Sequence, residues 1–209
     1  MPYVIQYLRQ EEKRKMHEMH VMKNEADDQQ KQQRLPGRIV LTGFRATGKT
    51  AVGHILARLT RFRFLDTDKE ISQRMGCSIA ESVRQHGWQA FRTQERALLG
   101  ELCSWRETII ATGGGAILHH EEWQKLRQDA LVIWLRTDLA TTLSRLALDQ
   151  KTAEQRPALG EQEESQNPAE EIAAVRAERE PLYRAGSDLV FNTEGKTSEE
   201  LAAAIYEQL

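Results

Sequence analysis

Gly43-Phe44-Arg45-Ala46-Thr47-Gly48-Lys49-Thr50 lies between the apolar run Arg38–Thr42 and Thr50–Leu59, whose apolar residues recur at helical spacing. These eight residues satisfy G-x-x-x-x-G-K-[ST] in the strand-then-helix setting that the motif requires. A glycine-bounded loop lets the backbone N–H groups of Gly43, Arg45, Ala46, Thr47 and Gly48 point at phosphate oxygens, and the positive end of the following helix dipole faces the same anion. Lys49 then reaches the β- and γ-phosphates and Thr50 offers its hydroxyl to Mg²⁺. The reading is an ATP site with Mg²⁺. A chance glycine turn before a helix leaves the agreement of strand, spacing, lysine and threonine unexplained.

Outward from this loop, short β-rich runs alternate with helical stretches. Arg38–Thr42, Phe62–Leu65, Thr108–Thr112, Leu131–Leu135 and Leu189–Asn192 are predicted strands. Thr50–Leu59, Ile79–His86, Thr93–Ser104, Leu139–Leu148, Ala169–Glu180 and Glu199–Leu209 are predicted helices. Alternation of this kind implies an α/β fold on a parallel sheet. Asp66-Thr67-Asp68 closes the second strand at its carboxyl end, where such sheets hold ligands. Asp66 is expected to serve Mg²⁺ through water. Asp68 is expected to be catalytic with Lys49, orienting and deprotonating an acceptor hydroxyl. The competing reading is that Asp68 caps the helix starting near Lys69.

The 209 residues, 40% hydrophobic, suffice for one catalytic domain, and a net charge of -2 supplies no basic excess for nucleic acid or an anionic membrane. Cys77 and Cys103 lack metal or redox spacing and read as structural. No apolar run approaches the ~20 residues of a membrane span, so a cytoplasmic protein is expected. Residues 1–36 are a charged extension, helical or disordered, that ends in a linker at Leu35-Pro36-Gly37. His17 and His20 within it lack the further ligands of a metal site and read as solvated. His86, His119 and His120 read as surface or capping residues.

Farther along stand Phe91-Arg92-Thr93-Gln94-Glu95, then Leu98-Leu99, then Ile109-Ile110-Ala111-Thr112-Gly113-Gly114-Gly115, then Arg156-Pro157-Ala158-Leu159, then Arg179-Glu180-Pro181-Leu182-Tyr183. The ordered series resembles the shikimate kinase family over nearly all of residues 38–209. It departs at Ala46 and Ala158, and at Trp88, where many relatives carry Glu. No adenine-flanking basic residue is assigned, since Asp149 falls near the family's position with Arg145 and Lys151 on either side.

The resemblance implies a P-loop kinase of the nucleoside-monophosphate-kinase type: a five-stranded parallel sheet flanked by helices, a substrate-binding region at about 69–100 and a mobile lid at about 149–168, all within 37–209. It implies transfer of the ATP γ-phosphoryl group to the shikimate 3-hydroxyl by a monomer. Arg156 becomes the lid arginine, catalytic and ATP-binding. Arg92 and Arg179 become a fork for the acceptor carboxylate. Gly114 and Gly115, beside Asp68, become acceptor contacts, and Glu95 becomes the residue that angles Arg92. The alternatives are a gluconate-type kinase, which the arginine pair and triple glycine oppose, and a silent nucleotide-binding regulator, which the intact Lys49, Thr50, Asp66 and Asp68 oppose.

Overall fold

Five short runs, most of them rich in Ile, Val and Leu, form the strands β1 (Arg38–Thr42), β2 (Arg63–Asp66), β3 (Thr108–Ala111), β4 (Ala130–Arg136) and β5 (Leu189–Asn192). A computed structural model describes residues 35–148 and 167–209, with Met16 and Met19 of the preceding segment. The strands pair in the order β2-β3-β1-β4-β5, and every pair is parallel. The sheet is the one expected, with limits moved by one residue in β2, β3 and β4. Central β1 is buried along its whole length, as a parallel strand covered on both faces must be, and this is why it reads as an unbroken apolar run.

Among the described residues from 35 onward, the α-helices are α1 (Lys49–Thr60), α2 (Thr67–Met75), α3 (Ile79–Leu102), α4 (His120–Arg127), α5 (Leu139–Leu148), α6 (Pro168–Ala185) and α7 (Ser198–Glu207). Alternate side chains along a strand point to opposite faces. Register sets Val40 beside Ile110 and Val132, and these three join Leu98, Leu99, Trp123, Leu126 and Tyr183 in one buried cluster. Ile39, Leu41, Ile109 and Ile133, also fully buried, point the other way. Burial of such a side chain stabilises by roughly 1.5–3 kcal/mol, so the two faces together dominate the fold's stability.

Three elements differ from the sequence expectation. Predicted helices Ile79–His86 and Thr93–Ser104 are one element, α3, interrupted where Gly87 adopts φ 76° and ψ 168°. Trp88 resumes the helix at once, so its second half starts earlier than expected. Helix α4 was not anticipated, although Glu121 and Glu122 in its first turn and Lys125 and Arg127 in its last complement the helix dipole. Helix α2 begins at Thr67, because Asp66 Oδ1 accepts from the N–H groups of Asp68 and Lys69 at 3.1 and 3.2 Å. Asp66 is therefore the cap, which corrects the competing reading of Asp68.

Arg38, 1% exposed, donates to the carbonyls of Cys103 (2.6 Å), Trp105 (2.9 Å) and Leu126 (3.2 Å). Its guanidinium thus ties the chain after α3 to the last turn of α4, where carbonyl groups lack helical partners.

The topology decides where a ligand can sit. Leu41 pairs with Ala111, and Ala111 with Asp66. The loop after β1, the carboxylate ending β2 and the glycines after β3 consequently leave the sheet at one level, on its carboxyl edge. Strand order reverses around β1, and open α/β sheets bind ligands at that point. The chain divides into two compact units, Met1–Leu35 with Leu209 and Pro36–Gln208. All five strands belong to the second.

Candidate active site

Backbone geometry fixes the loop after β1. Gly43 has φ 136°, and a Cβ there would overlap the Leu135 carbonyl of β4. Gly48, at the N-cap of α1, has φ 90°, in the left-handed region that glycine enters without steric cost. Ala46, which departs from the family's usual glycine, also has a positive φ of 60°, a conformation costing about 1–2 kcal/mol for an L-residue. Its carbonyl accepts from Arg145 Nη1 at 3.2 Å, and the same guanidinium bonds Thr193 Oγ1 (3.0 Å) and Thr193 O (2.9 Å). Arg145, given no role from sequence, therefore secures the loop to the residue after β5.

Lys49 Nζ donates to the carbonyls of Gly43 (2.9 Å) and Phe44 (2.7 Å). Burial pushes its pKa down to about 8, against the opposing pull of Asp68 and Asp66. Thr50 Oγ1 donates to Asp66 Oδ2 at 2.6 Å. Asp66 thereby joins the N-terminus of α1 to that of α2 and sets two hard oxygen donors side by side. Among the described residues, no three His, Cys, Asp or Glu side chains converge to hold a metal ion. Two oxygen donors of the Thr50–Asp66 kind fit an ion such as Mg²⁺, which keeps several waters and takes phosphate oxygens as ligands.

One cavity of about 740 Å³ includes Lys49, Asp66, Asp68, Arg92, Gly114, Gly115 and Arg179 in its wall. Of the predicted nucleotide-side residues, Arg45 and Lys49 share this wall with the predicted acceptor-side residues, whereas Gly43, Ala46, Thr47, Gly48 and Thr50 do not line it. Burial, then the charges of Glu95 and Asp66, raises the Asp68 carboxyl to about 6, with Lys49 and Arg45 pulling the other way. A carboxylate in that range can accept a proton near neutral pH.

Two of the three glycines make room for a neighbour, while Gly114 has ordinary contact space. A Cβ on Gly113 would overlap Asp68 Oδ1 and stand 3.0 Å from Glu95 Oε1. Its N–H donates to Thr67 Oγ1 at 2.8 Å. A Cβ on Gly114 would lie 3.5 Å from the Tyr183 hydroxyl, which donates to the Gly114 carbonyl. Burial drives the Tyr183 pKa up to about 12, so that donor keeps its proton. A Cβ on Gly115 would collide with the Arg92 guanidinium.

Arg92 is held on several sides. Its Nη1 pairs with Glu95 Oε2, and its Cζ lies 5.0 Å from the Trp88 ring centroid and 5.4 Å from that of Phe91. Cation–π contacts of this kind are worth about 0.5–2 kcal/mol. Trp88, where the chain departs from many relatives, is therefore a support for Arg92. Arg179, on α6 and 7% exposed, has a buried Nε without a hydrogen-bond partner. Two guanidinium groups in one cavity wall can bind a carboxylate in bidentate fashion.

His119 corrects another expectation. It is 5% exposed, it makes no side-chain cap at the start of α4, and its Nε2 lies 2.8 Å from Glu95 Oε2. No local sequence signal foretold this, because the contact joins residues 24 apart. His86 and His120 are exposed as expected. Cys103 Sγ donates to the Leu99 carbonyl at 3.3 Å, a structural role, whereas Cys77 lies in the cavity wall. Arg156 and the lid expectation at 149–168 fall largely on residues 149–166, outside the described residues.

A P-loop on a five-stranded parallel sheet, facing one cavity whose wall holds a buried carboxylate and two arginines, defines a phosphotransferase. A sequence profile described as Shikimate kinase matches residues 45–209, and the chain belongs to the shikimate kinase family. It is 44% identical over 147 residues to a shikimate kinase of Oleidesulfovibrio alaskensis, spanning 70% of this chain and 83% of that protein. It is 38% identical over 175 residues to one of Moorella thermoacetica, spanning 84% and 95%. Among solved structures, the shikimate kinase from Acinetobacter baumannii in complex with shikimate superposes with a TM-score of 0.75 at 33% identity, covering 84% of this chain and 93% of that one.

Proposed function

We propose that this protein transfers the γ-phosphoryl group of ATP to the 3-hydroxyl of shikimate, producing shikimate 3-phosphate and ADP. The observation that carries this reading is the single cavity in which Lys49 and the P-loop meet Asp68, Arg92 and Arg179. An acid with a ring hydroxyl suits that wall from both ends. Its carboxylate engages the two guanidinium groups, and a hydroxyl lies within the domain of Asp68 and the glycine run. The resemblance of the chain to a structure solved with shikimate supports the same acceptor.

In this reading Arg92 and Arg179 bind the acceptor by its carboxylate, Gly114 lets the ring lie close to the backbone, and Gly115 leaves room for the Arg92 guanidinium that meets it. Holding the hydroxyl in line with the phosphate supplies much of the rate, since positioning and charge stabilisation dominate phosphoryl transfer. Asp68 orients the hydroxyl and takes its proton as the oxygen–phosphorus bond forms. The loop N–H groups and Lys49 stabilise negative charge on the phosphates. Thr50 directly, and Asp66 through water, are assigned to Mg²⁺, which neutralises charge between the β- and γ-phosphates when bound. Arg156 is assigned by resemblance to the charge on the transferring group. The enzyme is proposed to act as a cytoplasmic monomer.

The assignment of the 3-hydroxyl is tested by ³¹P and ¹H NMR of the product formed from shikimate and Mg²⁺–ATP. Phosphorus coupling to the proton at C3 is expected. Coupling at C4 or C5 instead would contradict the way the acceptor is placed against Asp68.

A further inference from the structure

His119 occupies the N-cap of α4, a position where Ser, Thr, Asp or Asn ordinarily accepts the free N–H groups of the first turn. Its side chain makes no such bond. The imidazole turns inward instead, 4% exposed, with Nε2 at 2.8 Å from Glu95 Oε2. The tautomer with hydrogen on Nε2 donates to this oxygen. The same Oε2 accepts from Arg92 Nη1. Glu95 Oε1 is buried without a partner, on the side of Gly113 and Asp68.

We infer that His119 is a positioning residue for the acceptor: as second donor to Glu95 Oε2, it fixes the carboxylate that aims the Arg92 guanidinium across Gly115. This inference rests on the phosphotransferase reading above. Two features that are each unfavourable locally, an unused cap and a buried carboxylate, become consistent once the three side chains act together. With Arg92 as its sole partner, Glu95 could swing with the guanidinium, because both belong to α3 three residues apart. His119 comes from a different element, four residues after Gly115. Its bond therefore locks the glycine run and the arginine-bearing helix into one geometry, and the space left by Gly115 is filled by a guanidinium of fixed direction. Arg92 touches the acceptor, and His119 acts through it.

Two substitutions separate this role from simple packing. His119→Ser restores a favourable N-cap and removes the donor to Glu95, whereas His119→Gln keeps an amide N–H at similar reach. For His119→Ser, the KM for shikimate is expected to rise about three- to tenfold, as misplacement of a binding group does, with the KM for ATP unchanged. Its melting temperature is expected to stay within about 2 °C of the wild type, since the new cap offsets lost packing. His119→Gln is expected to recover most of the shikimate KM. A crystal structure of His119→Ser should show the guanidinium displaced from Gly115. An unchanged KM, or a Gln variant as impaired as the Ser variant, would overturn the inference. If the wild type itself showed no shikimate-dependent turnover, the proposed activity would fall, and the guanidinium position alone would decide: displaced in the Ser variant supports His119 as the positioning residue, unmoved overturns it.

Discussion

Asp68 is costly to keep charged, and that cost predicts two pH effects. Its ordinary value of 3.8 is raised to about 6, chiefly by burial. The folded state therefore holds this proton more tightly than the unfolded chain does. The penalty of the buried charge is absent below about pH 4, grows between about 4 and 6, and is complete above about 6. Asp68→Asn should accordingly stabilise the protein at pH 8 relative to pH 4 by on the order of 1–3 kcal/mol, with the loss of a partner for Lys49 offsetting part of the gain. Urea unfolding at the two pH values measures the difference, and a gain that shrinks toward pH 8 would contradict it. In the wild type, kcat/KM should fall as pH drops through about 6, because a protonated Asp68 cannot accept the hydroxyl proton. The two ends of the cavity should also separate by mutation. Lys49→Ala should abolish turnover, while Arg179→Ala should weaken shikimate binding by about tenfold or more and leave ATP binding intact. Unaltered shikimate affinity in a folded Arg179→Ala protein, read by calorimetry, would remove that arginine from the site.

At the level of elements, the glycine run after β3 matters through what it lets approach. In Gly115→Ala the methyl group meets the end of a flexible arginine, so Arg92 can yield and the fold should lose little stability. The KM for shikimate should rise about tenfold, with the melting temperature within a few degrees of the wild type; a collapse of stability with normal KM would place the clash elsewhere. Legibility from sequence also divides along these lines. The loop after β1, the carboxylates after β2 and the glycines after β3 were readable because each is a contiguous run, and in the loop Gly43 and Gly48 are also demanded by positive φ. Asp66 as cap of α2 was missed because it also reads as a strand end, and α4 because it has only two turns. The links of His119 to Glu95 and of Arg145 to Ala46 span 24 and 99 residues. No local pattern encodes such distant partners; they exist only once the sheet sets its loops on one edge.

For the whole molecule, all assigned groups among the described residues lie within the compact unit Pro36–Gln208. Removing residues 1–34 should therefore leave kcat and both KM values within about twofold, since no assigned group lies in them. A large loss of turnover in a folded truncation would give the extension a part in catalysis. Among the described residues, no helix is long and apolar enough to cross a membrane.

The most direct test compares ADP formation by the purified protein with Mg²⁺–ATP and shikimate, quinate, gluconate or no acceptor. Release of ADP that depends on shikimate, and exceeds that with quinate and gluconate, is predicted. Stimulation by gluconate alone would leave the sheet and phosphate chemistry standing but contradict the roles given to Arg92 and Arg179, and ATP binding with no stimulation by any acceptor would contradict the transferase reading itself.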